Sequence, residues 1–267
     1  MPDILLCNDD GWRSAGLGAL KSELNKIGDV KVYAPETERS WIGKMISRYD
    51  EVNVNPVKLP FDNSQAFSVS GTPSDSCLIG TANFLTDKKK NPDIIISGIN
   101  IGANMGLSFI LSSGTVAVSM ESSMMNIPSI AISLFFQKNE HFIPEIINNI
   151  KTYEKAAIFS RIIAEKILQK GKLPNGIDFL IINVPYGINE MDYEITRVAR
   201  IHYGHLFKKV KERVYKFDEK FNFNKFKFNI LNDSDINVLV NKDKISITPI
   251  SLDITGDMKK LNNFLKD

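Results

Sequence analysis

Short apolar runs alternate with stretches of helical periodicity along the first two thirds of the chain. The runs at 3–7, 30–35 and 92–97 have the continuous apolar character of strands that are buried on both faces. Further strands are predicted at 52–58, 66–70, 128–134 and 177–185. Helices are predicted at 17–27, from residue 72 onwards, at 115–125 and at 152–170. This alternation indicates βαβ units, so we predict an α/β fold with a Rossmann-like, doubly wound and mostly parallel sheet.

The helix that begins near residue 72 has a well-defined start in the sequence. Thr72 suits the N-cap, Pro73 suits the first helical position, and Asp75 stands where the carboxylate of a capping box is expected. The segment before it, 36–50, is polar and is predicted to be a loop.

The pattern changes after about residue 190. Aromatic and polar residues alternate over 216–230, which is typical of an antiparallel hairpin, and 236–240 and 244–252 are predicted to be two short strands. We therefore predict a single domain over 1–267, in which an α/β core of about 1–188 carries a C-terminal extension of about 189–267.

Composition and charge describe an ordinary globular protein. Of the 267 residues, 43% are hydrophobic and 24% are charged, and the net charge of +2 does not require a nucleic-acid partner. No apolar segment approaches the roughly 20 residues of a membrane span, and the N-terminus lacks the basic region of a signal peptide. Cys7 and Cys77 lie in apolar runs and are predicted to be buried thiols. We expect a cytoplasmic protein without a membrane partner.

Two adjacent aspartates, Asp9 and Asp10, come directly after the first predicted strand. In doubly wound sheets, ligands bind beyond the carboxyl ends of the strands, where the strand order reverses. A divalent cation between or beside the two carboxylates would relieve their repulsion, and Mg²⁺ favours such oxygen ligands together with phosphate. The competing interpretation is an ordinary turn, because Asp and Asn before a glycine often serve that purpose.

Other loops can reach the same edge of the sheet. Asn100 and Asn104 follow the strand at 92–97, and their amide oxygens are suitable ligands for a hard metal ion. Ser113 and Thr115 stand at a helix start, where hydroxyls and backbone amides can hold an anion, although taken alone ordinary N-capping by the serine is the better explanation. Ser40, after the second strand, could supply one more oxygen. Together these residues indicate a metal-dependent phosphate site.

The sequence lacks the signatures of several other sites. It has neither the P-loop motif GxxxxGK[ST] nor the dinucleotide motif GxGxxG, and its aspartates are adjacent rather than in the DxD spacing of aspartyl-phosphate phosphatases. None of His141, His202 and His205 has a Cys or His neighbour at zinc-like spacing, so no zinc site is predicted.

Taken together, these segments resemble the SurE family of survival proteins, metal-dependent phosphatases that act on nucleoside monophosphates. The matching segments, in family order, are ILLCNDDGW, VYAPETERS, GTPSDS, PDIIISGINIGANMG, SSGTVAVSMES and IPSIAISL, and near the C-terminus SITPISLDIT. The resemblance implies a Rossmann-like core whose C-terminal extension exchanges between the subunits of a homodimer, which in some members pairs further into a tetramer.

The resemblance also implies roles for individual residues. One divalent cation per subunit, Mg²⁺ or Mn²⁺, would be held by Asp9, Asp10, Ser40 and Asn100. Asp9 and Asp10 would also be the catalytic residues. The substrate phosphate would be bound by Asn8, Asn104, Ser113, Gly114 and Thr115.

The chain departs from the family pattern at three places, of which the serine after Asp75, where the family commonly has cysteine, is a minor change in a helix. Trp41 follows Ser40 where the family commonly has glycine, and its indole would narrow the pocket or stack on a nucleobase. The segment around 204–232, which includes the Lys- and Phe-rich stretch 207–228, does not match the family's usual hairpin. The resemblance predicts a 5′-nucleotidase activity. It leaves open whether the enzyme also hydrolyses other phosphomonoesters or polyphosphate. The alternatives are a nucleotide-binding module without turnover and an enzyme directed at polynucleotides, because basic residues between aromatics can bind single strands.

Overall fold

The structure, a computed structural model, describes residues 1–137, 143–202, 204–218 and 231–266. In this part of the chain the strands are β1 (Asp3–Cys7), β2 (Asp29–Pro35), β3 (Val54–Lys58), β4 (Gln65–Val69), β5 (Ile94–Ile101), β6 (Ser129–Phe135), β7 (Phe179–Pro185), β8 (Tyr193–Ile195), β9 (Phe207–Lys211), β10 (Val214–Phe217) and β11 (Ile245–Ile250). The helices are α1 (Ala15–Leu24), α2 (Pro73–Lys88), α3 (Leu107–Ser112), α4 (Gly114–Met124), α5 (Pro144–Ile147), α6 (Glu154–Lys170), α7 (Asp235–Asn241) and α8 (Met258–Phe264).

A nine-stranded sheet organises the fold, in the order β3-β4-β2-β1-β5-β6-β7-β11-β8. The six strands from β4 to β7 pair in parallel, whereas β3 and β11 are antiparallel to their neighbours β4 and β7. From β1 the chain first builds outward through β2 and β4 and then returns to place β5 on the other side of β1. The strand order therefore reverses between β1 and β5, where a ligand site is expected. The predicted α/β, mostly parallel fold is confirmed.

Alternate side chains of β1 anchor the two layers of helices. Ile4 and Leu6 belong to the core on the side of α1 and α6, and Leu5 and Cys7 belong to the core on the side of α2. All four are fully buried. Because successive side chains of a strand point to opposite faces, a central parallel strand is expected to be apolar at nearly every position.

The predicted start of α2 is confirmed in detail. Thr72 Oγ1 accepts a hydrogen bond from the Asp75 amide at 3.1 Å, and Asp75 Oδ2 accepts one from the Thr72 amide at 2.8 Å. Pro73 is the first residue of the helix. This capping box fixes the end of α2 that lies nearest the carboxyl edge of the sheet.

Two predicted elements differ from the structure. Residues 236–240, predicted as a strand, belong to helix α7, because Ser234 caps its first turn by accepting a hydrogen bond from the Asn237 amide at 3.3 Å. The cap outweighs the strand preference of its β-branched residues. The strand predicted at 92–97 continues to Ile101, so Asn100 lies at the end of β5 rather than in the following loop.

The region after residue 190 contributes to the main sheet. Strand β11 pairs with β7, and β8 pairs with the other side of β11. Strands β9 and β10 form a separate antiparallel pair, and 219–230, most of the predicted hairpin at 216–230, lies outside the described residues. The division of the chain at about residue 188 stays a prediction. None of the described helices is long and apolar enough to cross a membrane.

A buried lysine in α1 gives a test of stability. Lys21 is 5% exposed, and its Nζ lies 2.8 Å from Asp62 Oδ2. Burial raises the pKa of Asp62, but its hydrogen bonds with Lys21 and Ser64 and the charge of Lys21 outweigh burial and lower that pKa to about 2. Since the folded pKa lies below the ordinary value of 3.8, the pair stabilises the fold above about pH 4 and this contribution is lost as the pH falls towards 2.

We expect Lys21→Met to lower the free energy of unfolding at pH 7, because the ion pair with Asp62 is lost. The loss should be only about 1 kcal/mol, because the side chain of Asp62 is 42% exposed and water can solvate its carboxylate. Urea unfolding of both proteins between pH 7 and pH 3 measures this difference, which should shrink at low pH. A difference that stays constant over this range would contradict the assigned ion pair.

Candidate metal and phosphate site

The turn after β1 is closed by Asn8. Its Nδ2 donates hydrogen bonds to the Gly11 carbonyl and to Ser14 Oγ, both at 2.9 Å. Ser14 in turn caps α1 by accepting a hydrogen bond from the Leu17 amide at 3.2 Å. Asn8 is fully buried, and its Oδ1 has no hydrogen-bond partner within the described part of the chain. Its contact with a substrate phosphate stays a prediction.

Asp9 lies against the beginning of α4. Thr115 donates to it twice, from Oγ1 to Oδ1 at 2.5 Å and from its amide to Oδ2 at 3.2 Å. A methyl group on Gly114 would stand 2.9 Å from Asp9 Cβ, so only glycine allows this approach. Ser113 Oγ accepts from the Val116 amide at 3.1 Å, which makes Ser113 the N-cap. The start of α4 therefore holds the carboxylate of Asp9 in place.

Asp10 lies against the end of β5. Its Oδ2 accepts a hydrogen bond from the Ile101 amide at 3.2 Å. The neighbouring Asn100 donates from Nδ2 to the Gly102 carbonyl at 2.6 Å. This orientation uses the amide nitrogen of Asn100 as a donor, and its Oδ1 accepts no hydrogen bond from the described residues. Asp10 and Asn100 thus meet across the point where the strand order reverses.

Ser40 reaches the site on a loop that is tied down at both ends. The Arg39 amide donates to the Asp9 carbonyl at 2.8 Å, and the Gly43 amide donates to the Ser112 carbonyl at 2.8 Å. Ser40 Oγ donates to Glu38 Oε1 at 2.7 Å. Glu38 was not predicted from the sequence, although a carboxylate two residues before a candidate ligand was a usable signal.

The electrostatics of the site are those of two carboxylates withdrawn from water. Burial, followed by the charge of Asp9, raises the pKa of Asp10 well above its ordinary value. Burial also raises the pKa of Asp9, although the hydrogen bonds from Thr115 oppose this. The charge of Glu38 adds to both shifts. A cation beside the pair would offset this unfavourable arrangement.

The donor atoms define which metal ions would fit. In the described ranges, no group of three or more His, Cys, Asp or Glu residues is placed to hold a metal ion. The candidate ligands are instead carboxylate, hydroxyl and amide oxygens from Asp9, Asp10, Ser40 and Asn100. Oxygen donors suit Mg²⁺ or Mn²⁺, whereas Zn²⁺ sites are usually built from thiolate and imidazole ligands.

Asn104 belongs to a buried network of amides. Its backbone amide donates to Asn183 Oδ1 at 2.8 Å, and Asn183 Nδ2 donates back to the Asn104 carbonyl at 3.1 Å. The side chain of Asn104 donates from Nδ2 to Ser133 Oγ at 2.8 Å. Asn183 in β7 and Ser133 in β6 were not predicted as site residues. The signal for both was a polar residue inside an otherwise apolar strand.

A carboxylate from α7 fixes the loop that follows Asn104. Asp235 is fully buried and accepts hydrogen bonds from the amides of Gly106 at 2.7 Å, Ala199 at 2.9 Å and Ile236 at 2.8 Å. Burial raises the pKa of Asp235, and these three hydrogen bonds act against the shift. Helix α7 in the C-terminal region therefore stabilises the loop that follows Asn104, which the sequence did not predict.

The doubly wound sheet, with the neighbouring carboxylates of Asp9 and Asp10 at the point of reversal, defines the class of α/β proteins that bind ligands at the switch point. A sequence profile identifies the family within this class. The profile described as survival protein SurE matches residues 4–205, and the chain belongs to that family.

Individual relatives agree with this assignment. A 5′-nucleotidase SurE of Methanobrevibacter smithii is 32% identical, over 98% of this chain and 99% of its own length. A protein of the same name from Methanothermobacter thermautotrophicus is 35% identical over 79% of this chain and 78% of its own length. The crystal structure of the SurE protein from Aquifex aeolicus superimposes with a TM-score of 0.75, at 28% identity and full coverage of both chains.

Proposed function

We propose that this protein is a metal-dependent 5′-nucleotidase that hydrolyses nucleoside 5′-monophosphates to nucleoside and phosphate. Its similarity to relatives that are named 5′-nucleotidase SurE supports a phosphatase activity. The observation that best supports the metal dependence is the adjacent pair of a buried Asp9 and a partly exposed Asp10, which accept hydrogen bonds from Thr115 and from the Ile101 amide respectively. Broader hydrolysis of phosphomonoesters or polyphosphate belongs to the same proposal.

Four residues would hold one divalent cation per subunit, Mg²⁺ or Mn²⁺: Asp9, Asp10, Ser40 and Asn100. When bound, the cation polarises the phosphate and offsets the charge that develops on its oxygens. The donor set of carboxylate, hydroxyl and amide oxygens, which are the ligands that these hard cations favour, supports this fit.

The chain's own groups divide the remaining work. Both oxygens of Asp9 accept hydrogen bonds from Thr115, whereas Asp10 accepts one hydrogen bond from the described residues. Asp10 therefore keeps an oxygen for the cation or for a proton of the attacking water. Asn104, Ser113, Gly114 and Thr115 lie around the same edge and would orient the phosphate for in-line displacement.

The first test is removal of the metal ion. We expect exhaustive EDTA treatment to abolish phosphate release from AMP, and added Mg²⁺ or Mn²⁺ to restore it. Calorimetric titration of the stripped protein with Mn²⁺ should show one site per subunit, which gives a readout independent of turnover. A mock-treated sample without chelator is the control, and undiminished turnover after EDTA would overturn the metal mechanism.

The same experiment separates the other candidate functions. Binding of AMP without phosphate release in Mg²⁺ and Mn²⁺ would indicate a nucleotide-binding module. An enzyme directed at polynucleotides would bind oligonucleotides with a steep dependence on salt. The exposed strands β9 and β10 carry four lysines, Lys208, Lys209, Lys211 and Lys216, but they form a small hairpin whose solvated lysines need no ligand.

We also propose a homodimer or tetramer formed through the C-terminal region, in the cytoplasm. The described residues of α8 are all exposed, including the apolar Met258, Leu261 and Phe264. An apolar helix face without contacts is typical of an interface between subunits. The two cysteines are free and buried, which suits a reducing compartment.

A further inference from the structure

Trp41 has a backbone conformation that a large side chain rarely adopts. Its φ angle is +63°, in the left-handed region where glycine is comfortable and a bulky residue is strained. Residues held in such conformations persist where the surrounding structure fixes them, and they cluster at functional sites. The conformation of Trp41 therefore calls for an explanation in terms of what its side chain does.

The surrounding loop holds Trp41 beside the candidate site. Two residues before it, the Arg39 amide donates to the Asp9 carbonyl, and two residues after it, the Gly43 amide donates to the Ser112 carbonyl. One anchor is a candidate metal ligand and the other adjoins Ser113 at the start of α4. The backbone on both sides of Trp41 is therefore bound to the two segments proposed to hold the cation and the phosphate.

The indole is partly packed and partly exposed. Its ring centroid lies 5.6 Å from that of Phe109 at an angle of 63°, and 5.7 Å from that of Phe217 at 67°. Both contacts are edge-on, so neither ring stacks in parallel on the indole. Even with these neighbours, 46% of Trp41 is exposed. Two aromatic rings thus fix the orientation of an indole that still presents surface to solvent.

We propose that Trp41 is the base-stacking residue of the active site, so that the enzyme selects phosphomonoesters that carry a planar heteroaromatic base. This rests on the proposed function, which places the phosphate at Asp9 and Asp10. Every nucleobase has a π-face, and stacking on an aromatic side chain favours it over a sugar phosphate that has none. Phe109 and Phe217 act as positioning residues, because their T-shaped contacts with the indole fix its orientation.

The competing explanation is that Trp41 only packs the β9–β10 hairpin against α3 through Phe217 and Phe109. The two explanations differ in substrate dependence. A packing role predicts that loss of the indole disturbs hydrolysis of every phosphomonoester alike, whereas stacking predicts an effect confined to substrates with a base.

The kinetic test compares AMP with ribose 5-phosphate in Trp41→Gly. Glycine suits the left-handed backbone, so relief of strain offsets part of the packing that is lost with the indole and this variant is expected to fold. We expect its KM for AMP to rise about 5- to 150-fold, the range for loss of one base–aromatic stack. Its kcat/KM for ribose 5-phosphate should stay within about twofold of the wild type. An equal loss on both substrates, or no loss on AMP, would overturn the proposal.

Two further variants sharpen the comparison. Trp41→Phe keeps an aromatic face and should retain most of the preference for AMP. Tyr49→Gly removes an aromatic side chain that is 88% exposed on the same loop and has no contact with Phe109 or Phe217 within the described structure, and it should leave both substrates unaffected. A change in AMP preference in Tyr49→Gly as large as that in Trp41→Gly would contradict a specific role for Trp41.

A fluorescence test separates failure of this inference from failure of the proposed function. Trp12 and Trp41 are the chain's two tryptophans, and Trp12 is 9% exposed. If the wild type hydrolyses neither AMP nor ribose 5-phosphate, the proposed function fails, and titration with adenosine still tests stacking. Quenching of the indole emission in the wild type that is lost in Trp41→Gly supports the inference. Quenching that persists in Trp41→Gly, or is absent from the wild type, overturns it.

Discussion

Asp10→Asn is expected to lower kcat/KM for AMP by about a thousandfold while the protein remains folded. Asparagine keeps the shape of the side chain and an oxygen that can accept from the Ile101 amide. It removes the negative charge that the cation would need, and loss of such an electrostatic contribution corresponds to about 4 kcal/mol of transition-state stabilisation. Phosphate release at saturating Mg²⁺, with circular dichroism to establish folding, measures the effect.

The same substitution should leave stability unchanged or raise it. Burial and the adjacent charge of Asp9 both disfavour an ionised Asp10, so replacing it with a neutral group relieves repulsion. A substitution that raises the stability of the protein while it lowers activity is typical of catalytic residues, whose arrangement serves the reaction at some cost in stability. Thermal unfolding of the metal-free proteins compares the two directly.

Asp3→Asn is the matched control for Asp10→Asn. Asp3 lies at the amino end of β1, at the opposite edge of the sheet, and it is 4% exposed. It pairs with Lys88 and with Lys90, whose Nζ lies 2.8 Å from Asp3 Oδ2. We expect this variant to lose stability and to keep its activity, the reverse of Asp10→Asn. Activity of Asp10→Asn within tenfold of the wild type would contradict the assigned role.

Local sequence signals predicted most of the fold. Apolar runs identified β1 and β5, because strands that are buried on both faces are apolar at nearly every position. The capping box at Thr72 identified the start of α2, because its two hydrogen bonds lie within four residues of sequence. The prediction failed at α7, where the capping serine at 234 determined the structure against β-branched residues that favour a strand.

The location of the site could be predicted from the order of the strands, but the hydrogen bonds within the site could not. Asp9, Asp10 and Asn100 leave the carboxyl ends of adjacent parallel strands, so their meeting at one edge could be predicted. That Thr115 donates to Asp9, and that Asp235 holds the amide of Gly106, depends on pairs 106 and 129 residues apart in the chain. No local pattern predicts such distant pairs, so the contact of Asp235 could not be foreseen. Asn183 and Ser133 did leave a local signal, because each is a polar residue inside an otherwise apolar strand.

Gly16→Ala is expected to destabilise the protein by about 3 kcal/mol and to reduce activity together with stability. A Cβ at Gly16 would stand 2.2 Å from the Ile99 carbonyl oxygen, which belongs to the backbone of β5 beside Asn100. A backbone carbonyl in a central strand cannot move aside as a side chain can, so α1 or the end of β5 must shift. Such a shift would displace Asn100 and the Ile101 amide that holds Asp10. Urea unfolding and AMP hydrolysis measure the two effects.

Gly18→Ala, two residues further along the same helix, shows whether the backbone contact is the cause. A Cβ at Gly18 would stand 2.5 Å from the ring of Phe61, a partly buried side chain that can rotate away. Alanine also favours a helix over glycine by about 1 kcal/mol, which offsets part of the cost at both positions. We therefore expect Gly18→Ala to change stability by less than about 1 kcal/mol and to retain activity. Equal losses in the two variants would show that helix α1 tolerates no added methyl group at either position, and that the approach of Gly16 to Ile99 has no special part in holding the site.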